Sequence, residues 1–107
     1  MANIMSKELS REIQKLDVQL ERFIIKEDDF VKALRHSISQ FKILYHQLEQ
    51  ANKKPDVNMR RDLRNSRMVA IDAFNNALAK ASDAEHEKSH LLESYGALIL
   101  ATEKACE

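Results

Sequence analysis

One proline, Pro55, and one glycine, Gly96, are all the strong breakers this chain of 107 residues contains. Sheets, barrels and phosphate-binding loops are built on turn residues, so a chain nearly devoid of them is restricted to helix. Pro55 lacks the amide proton and its ring collides with the turn before it, which excludes it from a helix interior and pushes Lys54 out of helical geometry. Beyond it, Asp56 and Asn58 are both N-cap types. The reading is one all-α domain over residues 1–107: a helix over about 6–51, an elbow over 52–58 and a helix over about 59–104.

Both halves carry a seven-residue apolar repeat. In the first it runs through Leu9, Ile13, Leu16, Leu20, Phe23, Glu27, Phe30, Leu34, Ser37, Phe41, Leu44 and Leu48, spaced alternately four and three apart. In the second the best seam is Met59, Leu63, Arg67, Ala70, Phe74, Ala77, Ala81, Ala84, Lys88, Leu91, Tyr95 and Leu98. Such spacing is the seam of a coiled coil or a bundle helix. Folding back at Pro55 sets Phe41 level with Ala70 and Leu34 with Ala77, large against small, as close packing requires. The expected fold is a long antiparallel helical hairpin. Glu27 and Lys88 interrupt the two seams about one turn apart; either both sit at the edge and reach water by snorkelling, or they pair and pin the register.

A further stripe flanks each seam: Ile24, Val31, Ile38 and Tyr45 on the first helix, Ile71, Leu78, Leu92 and Ile99 on the second. A two-position seam serves one partner, whereas a three-position stripe serves a bundle. A lone hairpin leaves these residues partly exposed, and an apolar face on a small protein marks an interface. The expected occupant is a second hairpin, giving a dimeric four-helix bundle, or an amphipathic helix of another protein. The competing arrangement is a shorter four-helix monomer with breaks at Asp28-Asp29 and at the capping-box pattern Ser82-Asp83-Ala84-Glu85.

Charge and composition exclude other classes. Lys plus Arg number 17 and Asp plus Glu number 17, which argues against a general nucleic-acid or membrane binder. No apolar run is long enough to span a bilayer, and the N-terminus lacks a secretory pattern. Cys106 is the single cysteine, which suits a reducing, cytoplasmic setting.

Three local patterns bear on chemistry. His86-Glu87-Lys88-Ser89-His90 matches the HExxH pattern of zinc peptidases, in which two histidines four apart share a helix face. For the third ligand a catalytic zinc needs, only Glu93, Glu103 and Glu107 follow as acids, the chain is too short to build a cleft, and both histidines lie two residues past seam positions. They are read as a solvated face, with no metal and no other cofactor expected. His36, in Ala33-Leu34-Arg35-His36-Ser37, lacks the acidic neighbour of a phosphorylatable histidine, so phosphotransfer is the least supported alternative. Lys53, Lys54, Arg60, Arg61, Arg64 and Arg67 surround the elbow against Asp56 and Asp62, a positive cluster suited to an acidic partner or to RNA phosphates. No aromatic residue interleaves it for stacking on bases. The expectation is thus a non-enzymatic interaction protein, adaptor-like or chaperone-like, with a small RNA-binding bundle as the alternative.

Overall fold

Two helices make up the chain. In the computed structural model, which describes residues 2–54 and 57–106, α1 spans Ala2–Lys53 and α2 spans Met59–Ala105, with no strand among the described residues. The fold is an all-α antiparallel hairpin. α1 begins four residues earlier than its pattern requires, and both helices outlast their expected ends by one or two residues. At the elbow, Lys54 N–H still donates to the Gln50 carbonyl at 2.9 Å, closing the last turn of α1. Asn58 occupies the N-cap of α2, its carbonyl accepting the first intrahelical bond from Asp62 N–H at 3.2 Å. Pro55 and Asp56, on which the expected elbow rested, lie outside the described residues.

Neither anticipated internal break forms. Helical hydrogen bonding runs through Asp28-Asp29 and through Ser82–Glu85. Asp28 engages Lys32 Nζ at 2.8 Å, one turn ahead, an ion pair within the helix. That hydrogen bond holds the Lys32 ammonium above its ordinary pKa. Even so, the contacts divide at these very places, into a terminal unit of Met1–Glu27 with Ser82–Glu107 and an elbow unit of Asp28–Ala81. α2 also passes through Gly96 without a turn: the glycine is exposed, has no positive φ, and a Cβ there would meet nothing within 4 Å. Gly96→Ala is therefore expected to stabilise the fold by about 0.5–1 kcal/mol, read from urea unfolding. An unchanged midpoint would refute this placement.

In the elbow unit the fully buried residues are small: Ser37, Ala70 and Ala77, each at 1% exposure or less. Beside them Phe30, Ala33, Leu34, Gln40, Leu44 and Gln47 of α1, and Leu63, Ser66, Ala73 and Lys80 of α2, are partly covered. This corrects half of the expected seam. Phe30, Ser37, Leu44, Leu63, Ala70 and Ala77 are where the heptads put them. Phe41, Leu48, Arg67 and Phe74 are not; they stand exposed, and the residues one position earlier, Gln40, Gln47, Ser66 and Ala73, take their places.

The terminal unit repeats the shift. Ala84 and Ala101 are buried, and Leu9, Leu16, Phe23, Leu91 and Leu98 partly so. Ile13, Leu20, Lys88 and Tyr95 are exposed, while Glu12, Gln19, Glu87 and Ser94 line the seam. The physical reason is size. Helices packed across alanine and serine come close, and a phenylalanine or leucine at the point of approach would hold them apart. The long amide and charged chains accept that place because their flexible stems cover the seam.

That substitution has a cost. Gln47 Oε1 and Gln19 Oε1 are buried without a hydrogen-bond partner, each a desolvation penalty of about 1–3 kcal/mol. Gln47→Met keeps the stem and removes the orphan acceptor, and is expected to raise unfolding stability by about 1 kcal/mol. A loss of stability in urea titration would contradict it.

Candidate interaction face

Most exposed large apolar residues fall in two stripes, with Val18, Ile25, Ile43, Val57, Met68, Val69 and Leu100 outside them. In the elbow unit, α1 presents Val31, Ile38 and Tyr45 one position after its buried stripe, and Phe41 and Leu48, with the partly covered Leu34, four positions after it. On α2 the same two offsets give Ile71 and Leu78, and Arg67, Phe74 and Ala81. At 3.6 residues per turn these offsets lie about 100° and about 40° round from the seam, in the same sense. Because α2 runs opposite to α1, equal offsets fall on the same side of the pair. One side of the elbow unit is thus covered with half-exposed aliphatic and aromatic groups, among them Ile38 at 47%, Phe74 at 42% and Leu78 at 52% exposure.

Within the terminal unit, Ile24, Leu92 and Ile99 occupy the single offset and Ile13, Leu20 and Tyr95 the fourfold one, all exposed. All eight flanking residues expected at an interface are therefore solvent-accessible. The sequence reasoning missed the second stripe, since Phe41, Leu48 and Phe74 were assigned to the intramolecular seam. The signal was there: every fully buried position of α2 is alanine, too small to have needed a large neighbour.

Tyr45 carries a polar group into this face. Its phenol donates to the Glu49 carboxylate one turn on, which raises its pKa above the ordinary value. With that hydroxyl satisfied along its own helix, the ring is free to pack.

The elbow cations Lys53, Lys54, Arg60, Arg61, Arg64 and Arg67 are all exposed, with Arg61 Nε 3.9 Å from Asp62 Oδ1. On the side opposite the apolar stripes, a largely apolar groove of about 340 Å³ opens beside the elbow, lined by Ile43, His46, Gln47 and Gln50 of α1 and Met59, Asp62 and Leu63 of α2. Glu27 and Lys88 are both exposed and outside the seam; the seam residues next to them are Lys26 and Glu87. His36 is exposed. His86 and His90 are exposed on one face of α2, whereas Glu87, the base of an HExxH site, points into the seam. Cys106 is an exposed free thiol. No helix among the described residues is long and apolar enough to cross a membrane.

No family model matches the chain, and no curated protein or solved structure is similar to it.

Proposed function

We propose that this chain is a non-enzymatic protein–protein interaction module that self-associates through the apolar side of its hairpin. A helical segment of another protein is the alternative occupant of the same face. One observation carries the reading: the described side chains buried outright in the hairpin are alanines and a serine, the seam leucines and phenylalanines are only partly covered, and many other large aliphatic and aromatic side chains are left about half in water.

Magnitudes support it. Fully burying such a side chain contributes about 1.5–3 kcal/mol, so completing a half-finished burial contributes about 1 kcal/mol. On the two stripes of the elbow unit eight residues are in that state: Val31, Ile38, Phe41, Tyr45, Leu48, Ile71, Phe74 and Leu78. Two copies together thus gain roughly 15 kcal/mol from this unit, against an association cost of about 4–15 kcal/mol. The lone thiol of Cys106 suits a reducing compartment such as the cytoplasm.

The test is the native mass of the full chain, by sedimentation over a hundredfold range of concentration. A dimer, or a complex with a helical protein, is expected. A well-folded monomer at the highest concentration with nothing bound overturns the proposal. A particle that forms only with RNA and dissolves on charge reversal at Arg60, Arg61 and Arg64 overturns it in favour of the basic elbow.

A further inference from the structure

His86 and His90 stand one turn apart on α2, and their Nε2 atoms approach to 3.1 Å. The rings meet edge to face, with centroids 4.5 Å apart and planes at 89°. One Nε2 donates and the other accepts. A hydrogen bond between two exposed imidazoles gains little over hydration, yet it brings two metal-ligating nitrogens together. Imidazole nitrogens bind divalent transition ions at about 2.0–2.1 Å, and at that radius a 3.1 Å separation subtends about 95–100° at the ion. This lies between the right angle of tetragonal or octahedral copper and nickel and the wider angle of tetrahedral zinc.

Two neighbouring features favour a cation here. Glu93 Oε2 lies 3.8 Å from Nδ1 of His90. That is beyond hydrogen-bond distance, but the negative charge on that side favours the tautomer with its proton on Nδ1 and Nε2 as the ligand, and a small side-chain rotation would close the outer hydrogen bond common to metal-bound histidines. Asp83, Glu85 and Glu87 on the adjoining turns add negative charge.

We propose that His86 and His90 chelate one divalent ion of the copper, nickel and zinc class through their Nε2 atoms, with Glu93 orienting His90. Metal entry requires the donor ring to exchange its Nε2 proton through solvent for one on Nδ1, so that both neutral rings turn an Nε2 lone pair onto the ion. Among the described residues no group of three or more ligating side chains is gathered, so water completes the coordination and the ion exchanges readily. The site lacks a peptidase base, because Glu87 is turned into the seam. It lies outside the apolar stripes and is independent of the proposed self-association.

The experiment is a titration of the full chain with nickel(II) alone, in a Cys106→Ser background that removes the competing thiol. One equivalent per chain is expected. His86→Ala or His90→Ala should weaken it at least tenfold and Glu93→Gln several-fold, with His36→Ala and His46→Ala as controls that change it less than twofold. All five positions are exposed or partly so, and far-UV circular dichroism checks that each variant keeps its helix. Nickel at saturation should also raise the melting midpoint in chains holding both histidines and in no others. Equal affinity in the parent and the His86→Ala chain, or equal losses in the His36 and His46 controls, means an adventitious ion only and overturns the site.

Discussion

Ile38→Asp is expected to weaken self-association by at least two orders of magnitude while leaving the helices intact. Ile38 is 47% exposed and adjoins the buried Ser37 without sharing its seam. The folded hairpin therefore tolerates a carboxylate there, in water. The assembled state does not: burying an unpaired charge costs several kcal/mol, and a two-fold interface meets the substitution twice. Each 1.4 kcal/mol is a factor of ten in affinity, so the expected loss is a lower bound. Leu78→Asp, at the matching offset of α2, should behave alike. Sedimentation of each variant beside the parent, with helicity as the control for folding, is the measurement. A variant that stays fully associated would show that the two stripes are not where the partner sits.

The second large effect belongs to the seam. Ala77 is 1% exposed, and Ala77→Leu forces a branched chain into the point of closest helix approach. Overpacking of this kind costs about 1–3 kcal/mol, and the upper end is expected where the neighbours are backbone and small side chains. The contrast that makes the result informative is Phe74→Ala. Were Phe74 in the core, its truncation would cost about 3–5 kcal/mol; at 42% exposure it should cost a monomeric hairpin less than half of that, and act chiefly on association. Chemical unfolding at low concentration separates the two. If Phe74→Ala proves the more damaging to the isolated hairpin, the rotated seam is wrong.

The hairpin was legible because two signals coincided: helix-compatible residues nearly everywhere, and a single proline between two heptad patterns. The rotation of the seam was not. Periodicity identifies stripes, and both the expected and the observed pairing of stripes are spaced three and four apart, so spacing cannot choose between them. Side-chain size decides, through how closely Ala70 and Ala77 let the helices approach, and that is a property of both helices together. The outer stripes Ile38–Tyr45 and Ile71–Leu78 were readable as exposed because no position on a single neighbouring helix could reach them. Asp28 and Ser82 show a cap signal overruled: the helix continues, Asp28 binds Lys32 instead, and only the grouping of contacts changes there. The histidine pair was visible as two ligands on one face, but their 3.1 Å approach depends on side-chain rotamers that no spacing specifies.

That only alanines and a serine are buried outright, with the seam leucines and phenylalanines half covered, has a consequence for how much of this protein must be made. Alanine buries little, so a solitary hairpin holds only a slim margin over the unfolded chain, and on the proposed assembly most of the stabilising free energy arrives with the second copy. Folding and pairing then form one equilibrium governed by abundance. Below a threshold level newly synthesised chains open faster than they meet and fall to proteolysis, so that scarcity alone, with no defect in the gene, is enough to remove them.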